Sequence, residues 1–228
     1  MLASPGAISS LTHVRIEATR ATAIGDWQLT GGVTFLGGKV SLRDVTLRGT
    51  TAEDALNILH AEVDLHRVHI EHTVSDAFDG DFITGSVRAS TFADIGGDAL
   101  DFSGSRLEIV GCSARRVRDK GLSVGEASTV VLNGLQVDDA VAGVAVKDGS
   151  SLRAERVVVR NARVAGVMVY LKKPGYGGSR AAVAGLDFVG DVPASLCQTG
   201  SSLTLDGAAT PTQALDVEAL YAGAMRKR

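Results

Sequence analysis

The sequence predicts an all-β chain wound as a parallel β-helix, and three observations carry that prediction. The first is a repeat. The segments "EDALNIL", "SDAFDGDF", "GDALDFSG", "DKGLSVGE", "VAGVAVKD" and "VAGVMVYL" begin at residues 53, 75, 97, 119, 141 and 164, giving steps of 22, 22, 22, 22 and 23 residues. The second is alternation: "KVSLRDVTL", "EVDLHRVHI", "RLEIVGC", "TVVLNGLQV" and "LRAERVVV" place apolar residues two apart, as a half-buried strand requires. The third is composition. Apolar residues make up 45% of the chain and aromatics 4%, so the core must be stacked Val, Leu, Ile and Ala.

A period in the low twenties that holds three short strands and no helix is one coil of a parallel β-helix. Apolar spacings of three and four, which a helical solenoid needs, do not recur, and the L-x-x-L-x-L-x-x-N pattern of leucine-rich repeats is absent. About eight coils fit between residues 11 and 207. The expected organisation is a β-helix over 1–210, followed by a cap or linker over 211–228, where "TPTQALDVEALYAGAMRKR" turns Ala-rich with a basic end. At the other end, "MLASPGAISSLTHV" lacks a basic region and a continuous apolar stretch, so no signal peptide is visible. Strand-like segments such as "LTGGVTFLGG" begin at once, which suggests an array continued upstream and other domains of a longer chain.

The bulk properties exclude several classes. A net charge of -3, with no basic run interleaved with aromatics, argues against a nucleic-acid partner held through phosphates. Nothing reaches the length of a membrane span. Cys112 and Cys197 form no CxxC pair and read as buried thiols.

Alternation then assigns faces. Leu56, Ile58, Phe78, Phe82, Leu100, Phe102, Leu122, Val124, Val144, Val146, Val167 and Val169 share the inward parity. The outward parity gives a small column (Ala55, Ala77, Ala99, Gly121, Gly143, Gly166), a second column (Asn57, Asp79, Asp101, Ser123, Ala145, Met168) and a third (Leu59, Asp81, Ser103, Gly125, Lys147, Tyr170). A turn column of Asp54, Asp76, Asp98, Lys120 and Ala142 precedes them. The expectation is an open groove with a floor of Ala and Gly, carboxylates at one end, and Lys120, Lys147, Lys172, Lys173, Tyr170 and Tyr176 at the other. Stacked carboxylates about 5 Å apart repel by roughly 1 kcal/mol in water and more beside a low-dielectric wall, so a cation is expected nearby.

The run "AEDALNIL", "SDAFDGDF", "GDALDFSGS", "DKGLSVGE", "VAVKDGS" and "YLKKPGYGG" resembles a bacterial right-handed parallel β-helix family of the pectate-lyase-like superfamily, a group often found beside spore-coat-H-like kinase domains or in larger surface proteins. The resemblance covers roughly residues 27–190. It implies right-handedness, an extracellular or cell-surface setting, and acidic polysaccharide or cell-surface glycan as partner. Its wider superfamily includes lyases, polygalacturonase-like hydrolases and uronate epimerases that work on an outer sheet face. The Gly-His-Gly and Arg-Ile-Lys motifs of the hydrolases are missing here, as is the Asp-Pro-His run of the epimerases. The lyase pattern of a calcium ion beside a basic residue fits best. It makes Asp79, Asp101, Lys120 and Lys147 the catalytic candidates, Tyr170, Lys172, Lys173 and Asp98 the substrate-binding ones, and Asp76, Asp79, Asp81 and Asp101 the Ca2+ ligands.

Alternatives stay open. A base must be neutral, and carboxylates beside Lys120 raise its pKa. The same carboxylates could serve as a hydrolase acid and base, with Asp81 and Asp101 as a diagonal pair. They could also form a non-catalytic, salt-bridged ladder in a structural or adhesive module. His60, His66, His69 and His72 show no convergence of the three or four ligands that zinc needs, and His66 and His69 are expected at the surface. Trp27 reads as end packing. Glu126 and Asp148 are expected to pair with Lys147 or Lys120, and Asn133 and Asn161 to sit in turns.

Overall fold

A computed structural model describes residues 6–225, apart from the side chains of Ile24 and Trp27. Trp27, read above as end packing, therefore has its side chain outside the described residues. The chain is a parallel β-solenoid of about 8 turns. Ile8–Glu17 pairs in parallel with Lys39–Arg48, which pairs with Glu62–Thr73, and the ladder continues through Thr84–Arg88 and Thr91–Ile95 to Arg106–Val117, Thr129–Lys147, Ser151–Tyr170 and Arg180–Val189. A second stack holds Gly31–Leu36, Asp54–Leu59, Asp76–Asp81, Leu100–Ser103 and Lys120–Gly125, then the last parts of Thr129–Lys147 and Ser151–Tyr170, and ends on Ser195–Cys197. Its outer surface is called the polar face below. No helix among the described residues is long and apolar enough to cross a membrane.

Three corners per coil explain the three short strands in each repeat. Gly104, Gly111 and Arg116 have positive φ in one coil, and Glu126, Gly134 and Asp139 do so in the next. A left-handed residue other than glycine costs roughly 1–2 kcal/mol, so such residues are confined to points where stacking fixes the turn, among them the consecutive pair Glu126 and Ala127. Asn161 takes one of these corners, as its turn assignment predicts; Asn133 does not, and the corner falls on Gly134.

The inward rows form the core as predicted, with Phe78 and Phe102 in edge contact at 5.4 Å. Burying each Leu, Val or Phe stabilises by about 1.5–3 kcal/mol, so this stack dominates the energetics. One residue departs. Phe82 sits at a corner with φ 53°, is 56% exposed, and stacks on His60 at 4.9 Å. Its inward place in the row is taken by Gly80, which lies opposite Phe102; a Cβ there would meet Ile83 Cδ1 at 2.5 Å and Phe102 Cδ1 at 2.9 Å.

The small column also departs from expectation, and more consequentially. Ala55, Ala77 and Ala99 belong to the main core and do not floor an outer groove. Below them, a Cβ on Gly121 would lie 2.5 Å from Val137 Cγ2, and one on Gly143 2.5 Å from Val159 Cγ2. The chain is still rounding a corner here, so strict alternation has not begun, and the residues are small because they face the opposite wall.

Buried backbone groups at another corner are satisfied by a serine ladder that the sequence reading missed. Ser105 Oγ accepts from Ile83 N, Ser128 Oγ from Ser105 N, Ser150 Oγ from Ser128 N, and Ser179 Oγ from Ser150 N, at 2.9–3.3 Å. Cys112 and Cys197 are free and buried, and burial pushes the Cys112 thiol up to about 11.

After the last coil, Gln213 N donates to Cys197 O and Thr199 N to Gln213 O, which brings the chain back along the solenoid's side. Helix α1 (Val217–Ala222) follows, capped by Asp216, whose side chain accepts from Ala219 N at 2.8 Å. Leu215, Val217, Leu220, Tyr221 and Met225 pack on Val141, Ala142, Ala145, Met168 and Tyr170. The segment thus covers the side of the stack.

Candidate functional site

The polar face has the register that the repeat predicts. Asn57 lies against Asp79, then Asp101, Ser123, Ala145 and Met168 in successive coils. Asp54 lies against Asp76 in the turn column. That column is buried because its carboxylates bind backbone: Asp76 Oδ1 accepts from Asp98 N, and Asp98 Oδ1 from Lys120 N, each at 2.8 Å. Asp76 and Asp98 therefore hold coil register, because each caps an N–H that would otherwise be unsatisfied in the interior.

Lys120 ends this ladder inside the protein, with 2% of its side chain exposed. Its ammonium lies 3.2 Å from Asp98 Oδ1 and 2.6 Å from Asp119 Oδ2. Burial opposes its charge, but Asp98 and Asp119 outweigh that effect and raise its pKa above the ordinary lysine range. Burial pushes Asp98 above the usual carboxylate range, while Lys120 pulls the other way. Lys147 is also buried, donating to Ser123 Oγ at 2.6 Å and lying 3.5 Å from Asp101 Oδ1. Burial opposes its charge as well, yet with Asp101 beside it the pKa rises.

Next to this cation cluster, Tyr170 is fully buried and its hydroxyl meets that of Tyr221 at 2.7 Å. The Tyr221 ring also lies 4.0 Å from Lys172 Nζ and 5.5 Å from Lys120 Nζ. Burial, followed by repulsion from Lys147, Lys120 and Lys173, lowers the Lys172 pKa. Lys173 turns away to pair with Glu126, whose other oxygen accepts from Tyr176 Oη at 3.4 Å. Asp148 accepts from the backbone N–H groups of Lys172 and Lys173 at 2.7 and 2.6 Å. Neither Glu126 nor Asp148 makes the expected pair with Lys120 or Lys147, because the carboxylates of earlier coils already hold those ammonium groups.

The acidic half is different. Asp79 Oδ2 accepts from Asn57 Nδ2 at 3.0 Å, and burial, reinforced by Asp54, Asp81, Asp101 and Asp76, pushes its carboxyl up to about 9. Asp79 is therefore protonated at neutral pH. Burial, then Asp101 and Glu126, raises Asp81 too. Asp79, Asp81 and Asp101 remain partly exposed. Among the described residues, Asp76, Asp98 and Asp101 each bring one carboxylate oxygen within 4.8 Å of the others; Asp79 and Asp81, named as metal ligands from sequence, fall outside that convergence.

The face thus gathers the site residues named from sequence, but not as an open groove. Asp98, Lys120 and Tyr170 are sealed, and Lys147 nearly so. Asp119 and Tyr221 belong to the cluster yet were missed. Asp119 precedes the column residue, and Tyr221 comes from a segment with no repeat to place it. His69 is exposed as expected, whereas His66 is half-buried between Arg43 and Arg67. A scan against models of known protein families and a search of curated proteins each found no match to the chain.

Proposed function

We propose that this chain is a glycan-binding β-solenoid module that uses the partly exposed carboxyl row of Asp79, Asp81 and Asp101 and carries out no lyase chemistry. The buried state of Lys120 carries this reading. A lyase base must be neutral and must reach the substrate, and an ammonium held between Asp98 and Asp119 with 2% exposure does neither. Lys147 is engaged in the same way with Asp101 and Ser123. Carboxyls that both donate and accept, as protonated Asp79 beside Asp81 and Asp101 does, suit sugar hydroxyls. A polyuronate would meet repulsion there, so neutral, hydroxyl-rich glycans are the favoured class. An extracellular or cell-surface setting belongs to the same proposal, since glycans of that kind are met there.

The residues fit calcium poorly. The ion takes six to eight oxygens. Of the three converging carboxylates, Asp76 and Asp98 already accept backbone N–H groups through one oxygen each, and the Lys120 ammonium already neutralises Asp98. No step is routed through a metal.

A hydrolase is the second reading, and one observation favours it: Asp79, held as the acid, lies in register with Asp101 on the adjacent strand, where backbones are about 4.8 Å apart. One panel separates the readings. The protein is incubated with neutral and acidic polysaccharides, and three signals are followed: retention on immobilised glycan, reducing ends, and absorbance near 235 nm. Retention by a neutral glycan that falls at least about tenfold in Asp81→Ala or Asp101→Ala supports the module, that loss corresponding to about 1.4 kcal/mol. New reducing ends would favour the hydrolase. A rise near 235 nm would restore the lyase, and silence in all three would leave a purely structural solenoid.

A further inference from the structure

We propose that residues 213–225 form a detachable strap that shuts the far half of the polar face, and that its release joins this half to the Asp79–Asp101 row as one continuous groove. The strap has its own small hydrophobic cluster, separate from the solenoid core. None of the residues of α1 is fully buried, yet those beneath it, Ala145, Met168 and Tyr170, have no exposure at all. A helix of 6 residues is far too short to persist by itself in water, so α1 exists because it is docked. What docks it is mostly side chains: Leu215, Val217, Leu220 and Met225 pack on the coils, Tyr221 meets Tyr170, Lys172 and Lys120, and hydrogen bonds at Gln213 and Leu215 hold its start. The coils below are paired strand to strand without it, so the strap can open while they stay closed.

Opening changes the shape of the face. With the strap down, the outward column is partly exposed at Asp79, Asp101 and its far end, Leu196, and is interrupted between them by Ser123, Ala145 and Met168, which have no exposure. With it lifted, the column runs from Asp79 to Leu196, five register steps or roughly 24 Å at strand spacing. That is long enough for an extended chain and not merely one sugar ring. The inference goes beyond the glycan reading, and its test uses no glycan, so either can fail alone.

Two measurements test it. In native hydrogen exchange on the unaltered protein, the amides of Leu220 and Gly223 should exchange through an opening that leaves those of Leu107 and Val130 protected. If they exchange only together with those core amides, the strap is part of the core and the proposal is wrong. In the second, dilute hydrogen peroxide oxidises accessible thioethers and mass spectrometry reads Met168. Tyr221→Ala should speed Met168 oxidation at least about tenfold, with β-sheet circular dichroism and core amide protection unchanged. An unchanged Met168 rate, or core protection lost along with the strap, would overturn it.

Discussion

Charged residues fill two kinds of place in this solenoid. On the outer surface away from the strap, coils are tied by exposed pairs: Lys39 with Glu62 at 2.8 Å, Arg88 with Glu108 at 2.5 Å, and Arg160 with Asp187 at 3.1 Å. On the polar face, Lys120 and its two carboxylates sit within the protein. Both sets bridge successive coils or adjacent residues at similar distances, so distance does not separate them. Solvent does. Water screens the outer pairs and competes for each partner, whereas the inner charges are held by one another, by the Lys120 backbone N–H and by the Tyr221 ring. Each outer pair is therefore expected to be dispensable, and the inner cluster to act as a unit.

The sharpest way to break that contrast is Lys120→Ala. It leaves Asp98 and Asp119 buried without their cation, which should cost about 3–5 kcal/mol, a fall of roughly 6–20 °C in thermal midpoint for a chain of this size. Lys120→Met combined with Asp98→Asn and Asp119→Asn should recover most of the loss, because removing every charge together strands none. The side-chain amide introduced by Asp98→Asn can still accept the backbone N–H of residue 120. Calorimetry of the two variants decides the matter; equal midpoints would mean that the cluster does not act as a unit.

A pH-dependent effect comes from the acidic half. The folded Asp79 pKa, about 9, lies above the unfolded value of about 3.9. Between these values the folded chain holds a proton that the unfolded chain has released, so stability falls as pH rises. The contribution is complete below about pH 4, declines up to about pH 9, and then stays flat. Asp79→Asn keeps an acceptor for Asn57 Nδ2 and removes the titration. The variant should match the parent near pH 4 and gain on it steadily to pH 9 in urea unfolding. Parallel stability curves would mean that Asp79 titrates at an ordinary value.

How much of this was legible in the sequence follows from where periodicity reaches. A 22-residue step aligns Asp79 with Asp101 and Lys120 with Ala142 without error, because strand pairing transmits the repeat directly into register. Parity fails at corners, where alternation stops. It points Phe82 inward although Gly80 holds that place, and Ala99 outward although it packs in the core. The serine ladder is visible in principle as Ser105, Ser128 and Ser150, spaced 23 and 22 residues apart, but short polar residues near glycines read as loop. Tyr221 could not be placed at all. It lies beyond the last repeat, and a tertiary contact between residues 170 and 221 has no periodic signal. The sequence therefore reveals which groups share a face, and not that a later segment covers half of it.

The smallest effect sharpens the comparison from the outer side. Arg88→Ala removes an arginine from a pair whose side chains are 46% and 51% exposed. Exposed pairs of this kind contribute about 0–1 kcal/mol, so the midpoint should move by no more than about 2–4 °C. At 1 M salt, where the Debye length is about 3 Å, even that difference should vanish. The same salt should leave the Lys120→Ala deficit nearly intact, since counterions cannot enter a site with 2% exposure. Thermal midpoints of both variants at low and high salt provide the measurement. A deficit in Lys120→Ala that shrank with salt as fast as that of Arg88→Ala would mean that ions reach both sites alike, and the division between solvated and sealed charge would not hold.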